Sequence, residues 1–244
     1  MIGIGIGIPY RSGSGGGGGA PTPLLRWSFD DTSRMWQDTG LTAPADATSD
    51  PISAVESSGT ETLTLTRNDA SHIPTWDGTD AAVFDGTDDA MSAAGFSEII
   101  DLTEMRLALT FEAGNLSSTQ TVAGFSNSSG SGFGRVAVTA TTGRIRVEFR
   151  NSANATIASE DFYSTGITAG KRYTIVILIH DDLIDFQLSG DGENDLDEDV
   201  EFDLSGLDWV DAPDVVSIGA RITNLTQEND DFTGKVIALE LDAY

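Results

Sequence analysis

The chain has 244 residues, 39% of them hydrophobic, which suits one domain with a sizeable core and a short appendage. It contains no cysteine, which excludes disulfides and thiolate metal sites. Thirteen Lys and Arg against 39 Asp and Glu give a net charge of −26. Such a surface repels nucleic acid and anionic lipid, so the charge argues against binding to either.

The N-terminal segment alternates isoleucine with glycine. Alternation with a period of two predicts a strand with one apolar face, and a run this short needs a partner sheet edge or groove to bury that face. Residues 12–19 form a Gly/Ser-rich flexible linker. We therefore predict a docking arm and linker over residues 1–23 and one domain over 24–244; the alternative is an extra edge strand on that domain. The four docking residues are Ile2, Ile4, Ile6 and Ile8.

From Leu24 onward, short β-type runs alternate with turn residues. Thr62–Thr66 alternates threonine with leucine, and Met105–Ala113 has apolar residues at every second position from 107 to 111. About ten such runs follow residue 81, separated by Gly, Asn, Asp and Ser. No segment has a helical period with caps. This pattern predicts an all-β, antiparallel β-sandwich or jelly roll.

Four motifs resemble the laminin-G-like domains, which belong to the concanavalin A-like jelly rolls. They occur in that family's order, and the resemblance implies its β-sandwich fold. The motifs are AAVFDGTDDAMS at Ala81–Ser92, GITAGKRYTIVILI at Gly166–Ile179, LIDFQLSGDGE at Leu183–Glu193 and FTGKVIALELDAY at Phe232–Tyr244.

A further resemblance concerns the lead-in to these motifs. Residues 35–55 and 71–86, and the isoleucine–glycine start, are similar to such domains in virion proteins of bacteriophages and gene transfer agents. This implies a virion structural protein, a head spike, decoration or tail-attached fibre subunit. Its arm would bind other virion proteins, it would form a homo-oligomer, and its sandwich would bind a host surface glycan. The alternative is a stand-alone carbohydrate-binding module.

The start of the chain also bears on localisation. Met1 is followed by alternating isoleucine and glycine, without the cationic and long apolar regions of a secretory signal. We therefore expect assembly in a host cytoplasm and a final location in the virion. No apolar run reaches the roughly 18 residues that a membrane helix needs, so we expect no membrane insertion.

The residue pattern does not favour an enzyme. His72 and His180 have the positions of structural residues in a turn and at a strand end, although His180 and the two aspartates after it offer ligands for an ion. There is no Gly-x-Ser-x-Gly nucleophile elbow. A glycoside hydrolase on this fold needs paired carboxylates. Glu201 and Asp203 share one strand face, but the third carboxylate of the usual strand motif is missing.

Calcium is the best candidate for a cofactor, because it prefers oxygen ligands from a flexible acidic loop. The acidic run from 191 to 199 predicts such a loop, and the alternative is a solvated charge run between strands. A second acidic group, Asp85, Asp88 and Asp89, is expected either to bind an ion or to cap its own turn. The predicted calcium ligands are Asp191, Glu193, Asn194, Asp195, Asp197 and Asp199.

Tryptophans are the candidate platforms for a sugar ring. Trp76 lies in a Pro-Thr-Trp-Asp-Gly turn and Trp209 in Leu-Asp-Trp-Val-Asp, so both have the sequence context of exposed loop residues. Trp27 lies in a strand-like run and is expected in the core. Packing is the alternative role for the two loop tryptophans.

Overall fold

The structure is a computed structural model, and its described residues form strands, turns and a short 3-10 helix at Thr32–Arg34. No helix among the described residues is long and apolar enough to cross a membrane. The described residues are 23–67, 71–96, 99, 104–126, 133–151, 153–163, 166–180, 183–190, 193–201, 214–223, 226–227 and 230–243.

An eight-stranded antiparallel sheet forms one layer of the described chain. Its strand order is β15-β14-β13-β8-β19-β6-β5, and β1 pairs with the second half of β19. The strands, numbered along the chain, are β1 (Leu25–Ser28), β5 (Thr75–Trp76), β6 (Ala82–Asp85), β8 (Glu104–Ala113), β13 (Arg172–His180), β14 (Leu183–Gly190), β15 (Glu193–Glu201) and β19 (Thr233–Ala243).

A nine-stranded sheet forms the second layer, again within the described residues, in the order β12-β11-β10-β9-β16-β7-β4-β3-β2. A separate two-stranded hairpin, β17 (Ile222–Thr223) and β18 (Thr226–Gln227), follows β16. The nine strands are β2 (Met35–Trp36), β3 (Ala54–Glu56), β4 (Thr64–Thr66), β7 (Met91–Ala94), β9 (Gln120–Ser126), β10 (Phe133–Val138), β11 (Ile145–Arg150), β12 (Thr156–Phe162) and β16 (Val215–Ile218).

Side chains alternate between core and solvent along several strands of the eight-stranded sheet, β13 among them. In β13, Tyr173, Ile175 and Ile177 are buried, whereas Thr174 and Val176 between them are only half-buried. Successive side chains of a strand point to opposite faces of its sheet, so this alternation defines a core face and an outer face. The predicted all-β antiparallel sandwich is confirmed.

The core lies between the two sheets. Phe162 of β12 stacks on Phe186 of β14, with ring centroids 4.4 Å apart, so this pair joins the layers. Trp27 is fully buried, as predicted, and its indole Nε1 donates to the carbonyl of Leu63 at 2.9 Å. Stacked and edge-on aromatic pairs contribute about 1 kcal/mol beyond their burial, which supports a sandwich without disulfides.

One predicted loop is a strand. The acidic run from residue 191 to 199 predicts a flexible loop, but Glu193–Glu201 forms β15 and pairs with β14. Asp197 lies opposite Gln187 and Asp199 opposite Asp185 in this register. Pairing with a hydrogen-bonded neighbour satisfies the backbone of a charged segment even where β propensity is poor.

Candidate functional site

A polar groove of about 500 Å³ opens on the eight-stranded sheet, where β8, β13 and β14 lie side by side. Its lining side chains lie on the outer face, since they alternate with buried core residues. We call this cavity the groove. Its lining residues are Glu112, Gly170, Arg172, Thr174, Ser189 and Gly190.

Glu112 occupies the position between two cations in adjacent strands. It lies directly opposite Arg172 of β13 on one side and Lys235 of β19 on the other. Residues opposite each other in neighbouring strands share a sheet face at about 5 Å. Among the described contacts, however, no hydrogen bond or ion pair ends on the Glu112 carboxylate, so its oxygens remain available as acceptors.

Both cations are bound instead by the turn at residues 77–80. The Arg172 guanidinium donates to both oxygens of Asp80, at 2.6 and 3.0 Å. Lys235 Nζ donates to Asp77 Oδ2 at 2.9 Å. These bonds raise the pKa of Arg172 and of Lys235. Burial would raise the pKa of Asp77, but the Lys235 ammonium and backbone N–H groups outweigh it and leave that pKa lowered.

β13 and β14 pair closely beneath the groove. Gly190 lies opposite Tyr173 on the core face, where a Cβ at Gly190 would clash with the buried Tyr173 ring. The register between β14 and β15 shifts between Leu188 and Gly190, whereas Ser189 keeps its regular place opposite Thr174 of β13. Ser189 is exposed at the groove. Thr174, also in the groove, shares a 2.9 Å hydroxyl hydrogen bond with Thr110.

Three aspartates meet at the turn between β6 and β7. One carboxylate oxygen from each of Asp85, Asp88 and Asp89 lies within 4.8 Å of the others. Asp89 Oδ2 accepts from the Asp85 N–H at 2.9 Å, and Asp85 Oδ1 accepts from the Thr87 N–H at 2.7 Å. His72 Nε2 lies 3.1 Å from Asp88 Oδ2. Two of these carboxylates therefore cap their own turn, one of the two roles expected for the group.

Burial raises the pKa of Asp89 to about 6, and the nearby Asp85 and Asp88 charges add to the shift. The bond from the Asp85 N–H opposes it but does not cancel it. The three carboxylates fit part of a calcium shell, which takes six to eight oxygens in general. Asp89 has already committed one oxygen to the backbone, so this turn offers a partial ligand set.

Most other predicted site residues fall where the structure gives no side-chain description. The four isoleucines, Asp191 and Trp209 lie outside the described residues. The backbone of residues 193–199 is in β15, and whether these side chains bind calcium stays a prediction. His180 Nε2 lies 3.2 Å from Asp185 Oδ2 in the neighbouring strand.

Trp76 differs from its expected exposure. It is 9% exposed in β5, and its indole Nε1 donates to the Phe29 carbonyl at 3.1 Å. A ring held in the core cannot stack on a sugar, so the exposed platform predicted from the turn-like sequence is wrong. The alternative role, packing, is the one the structure gives to Trp76.

The groove residues were missed because they are scattered along the chain. Glu112 and Ser189 are 77 positions apart in number and come together only through pairing of β8, β13 and β14. The available signal was the polar alternation at Arg172 and Thr174 within an otherwise apolar strand. That alternation shows that Arg172 and Thr174 lie on an outer face, but it does not show which strands lie beside theirs.

No family model matches the sequence. No curated protein matches it either.

Solved structures do resemble the fold. The binding domain of botulinum neurotoxin serotype D has a TM-score of 0.56 at 10% identity, over 91% of this chain and 48% of that one. The CBM40 domain of the Ruminococcus gnavus IT-sialidase, bound to α2,6 sialyllactose, has a TM-score of 0.47 at 14% identity, over 67% and 90%. The NanB sialidase of Streptococcus pneumoniae has 0.45 at 15%, over 68% and 26%.

The chain therefore spans about half of the toxin domain that it matches. At 10% identity the likeness to the toxin domain concerns the fold alone. The laminin-G resemblance and the virion assignment stay predictions.

Proposed function

We propose that the protein is a non-enzymatic carbohydrate-binding β-sandwich whose binding site is the groove on the eight-stranded sheet. One observation carries the proposal: a carboxylate without a hydrogen bond among the described contacts, a guanidinium and two hydroxyls converge on a cavity of about 500 Å³. The volume is within the range of small-ligand sites in general. This is the alternative to a virion role that the sequence leaves open.

The chemistry of the groove suits the hydroxyls of a sugar. A carboxylate offers two acceptor oxygens to the hydroxyls of a sugar, and serine and threonine hydroxyls both donate and accept. Glu112 supplies the acceptor, while Thr174 and Ser189 supply the amphoteric groups. Hydrogen bonds to a charged group contribute about 2 kcal/mol each, so the expected affinity is modest.

Substitution of the groove acceptor tests the proposal. Glu112→Gln keeps the shape but halves the acceptor capacity, and we expect about tenfold weaker glycan binding by isothermal titration calorimetry or NMR titration. Ser189→Ala should weaken binding by a smaller factor. The matched controls are Glu160→Gln and Ser159→Ala, exposed residues of β12 on the other sheet, and both should bind as the wild type does.

Two outcomes would contradict the proposal. A glycan array without any bound sugar would remove the carbohydrate-binding role. Binding that survives Glu112→Gln and Ser189→Ala while being lost in the β12 controls would move the site to the other sheet. Either result can be interpreted as a change in binding, because all four side chains are exposed or half-buried and the variants should remain folded.

A virion location is the second element of the proposal. It is supported by the alternating isoleucine–glycine start and by the resemblance of residues 35–55 and 71–86 to domains of virion proteins. Deleting residues 1–20 should leave a folded domain that still binds glycan but no longer joins particles. The measurement is co-sedimentation with assembled particles. Incorporation of the deleted protein at the wild-type level would refute docking by the arm.

A further inference from the structure

The charge arrangement of the groove restricts the class of sugar that it can take. Resting on the proposed function, we infer that the groove selects uncharged glycans and discriminates against glycans that carry a carboxylate.

The cations near the groove are occupied. Arg172 offers a planar fork that suits a carboxylate, but Asp80 already accepts from both arms of that fork. Lys235 is bonded to Asp77, whose side chain is only 10% exposed. An incoming carboxylate would have to share these cations with protein carboxylates that are held in place by their own turn, or displace them.

The turn that holds these aspartates is well braced. Asp77 Oδ1 accepts from the N–H groups of Thr79, Asp80 and Ala81 at 2.8, 3.0 and 3.2 Å. Three such bonds fix the Asx turn, and the turn positions Asp80 over Arg172. Displacement of Asp80 therefore works against a folded element and not against one mobile side chain.

The net charge of the groove and its turn is negative. Glu112 lines the groove, and the two cations whose charges act on it are bonded to Asp80 and Asp77. Summing Asp77, Asp80, Glu112, Arg172 and Lys235 leaves one net negative charge, and the whole chain carries −26. Like charges a few ångströms apart at a surface repel enough to weaken binding about tenfold at moderate salt. Uncharged hydroxyls do not meet this repulsion.

Paired glycans give a direct test. An array that prints each neutral oligosaccharide beside its sialylated counterpart, lactose beside sialyllactose among them, isolates the effect of one carboxylate on one core. We expect the neutral member of each bound pair to bind about tenfold more tightly, with a difference that shrinks as salt screens the repulsion.

Asp80→Asn tests whether the pairing of Arg172 with Asp80 causes the selection against carboxylates. It removes the carboxylate that occupies Arg172, so the sialylated member should gain about tenfold relative to the neutral one. Asp161→Asn is the matched control, because Asp161 also binds an arginine through both oxygens, Arg146 at 2.6 and 3.1 Å, on the other sheet. The two variants change the net charge equally, and only the first should change the preference.

The outcomes separate the two proposals. If no glycan binds, the carbohydrate-binding function is wrong and this inference is wrong with it. If glycans bind but the sialylated member binds as tightly as its neutral partner, the function stands and the charge selection is refuted. An unchanged preference in both Asp80→Asn and Glu112→Gln would refute the selection as well.

Discussion

Arg172 of the eight-stranded sheet and Arg135 of the nine-stranded sheet each lie opposite a glutamate in the next strand, Glu112 and Glu148 respectively. In the nine-stranded sheet the pair is closed: Arg135 Nη2 lies 2.7 Å from Glu148 Oε2, and both side chains are under 10% exposed. In the eight-stranded sheet the arginine side chain is 43% exposed and bonds to Asp80. The same cross-strand pairing thus gives two different arrangements.

The difference follows from what covers each face. Residues after β16 lie against the nine-stranded sheet: a Cβ at Gly124 would lie 3.7 Å from Arg221 Cα, and the Ser126 hydroxyl donates to the Ile222 carbonyl. Asp230, further along the chain, accepts from Arg135 Nη1 at 2.6 Å. Because Glu148 is shared between Arg135 and Arg150, Asp230 supplies the second carboxylate for the two cations.

Burial with compensating cations also sets the acidity of Glu148. Desolvation would raise its pKa, but Arg135 and Arg150 outweigh burial and hold the pKa below its ordinary value. Glu148 therefore stabilises the fold above its unfolded pKa, and that contribution is lost as the pH falls through the folded pKa. A charge pair covered by the chain stabilises the fold, whereas an exposed pair leaves polar groups that can bind a ligand.

The largest expected effect comes from breaking the covered charge network around Arg135. Arg135→Met should lower the free energy of unfolding by about 3–5 kcal/mol, because it leaves half-buried Asp230 without its cation and buried Glu148 with Arg150 alone. Chemical denaturation followed by tryptophan fluorescence measures it. Arg146→Met is the matched control: its pair with Asp161 is 34% and 27% exposed, so the loss should be about 1 kcal/mol or less. Equal losses in the two variants would contradict the comparison.

The next effect concerns a buried carboxylate without a bonded cation. Asp89 is 8% exposed with a pKa of about 6, above its ordinary 3.8, so its ionised form destabilises the fold. This penalty is absent below the unfolded pKa and complete above the folded one. Asp89→Asn should therefore stabilise the protein by about 3 kcal/mol near pH 7 and by little near pH 4, opposite to the pH trend of Glu148.

The amide oxygen that Asp89→Asn introduces can still accept from the Asp85 N–H, so the turn cap is kept. Thermal unfolding in chelator across this pH range provides the measurement, since chelator removes any stabilisation by bound cations. Destabilisation near pH 7 would show that the carboxylate charge itself stabilises the turn.

The fold was predictable because its main signal is local. Alternation in runs such as Met105–Ala113 and Arg172–His180 marks strands with one buried face, and both are strands in the structure. The exception is Glu193–Glu201, whose charges suggest a loop but whose backbone pairs with β14. Pairing with the neighbouring strand determines the conformation of that segment, and the sequence pattern does not show which strands will be neighbours.

The candidate site was less predictable, for the same reason. Trp76 has a turn-like sequence context, yet its indole lies in the core against Phe29. Glu112 looks like an ordinary outer-face charge until β13 and β19 place Arg172 and Lys235 on either side of it. Strand pairing between distant segments, and the pairing of each cation with a distant aspartate, are properties of the tertiary structure. They determine that Glu112 is the carboxylate without a hydrogen bond among the described contacts.

The smallest expected effect concerns the stability of the groove itself. A double-mutant cycle with Arg172→Met and Asp80→Asn should give a coupling energy of about 0.5–1 kcal/mol, because an exposed ion pair gains little over its solvated ions. Added salt should reduce this coupling further. The corresponding cycle with Arg135→Met and Glu148→Gln should give a coupling several times larger that salt hardly changes, since water is excluded from that pair. A coupling energy between Arg172 and Asp80 as large as that between Arg135 and Glu148 would contradict the comparison. It would mean that the exposed pair stabilises the fold as much as the covered pair does.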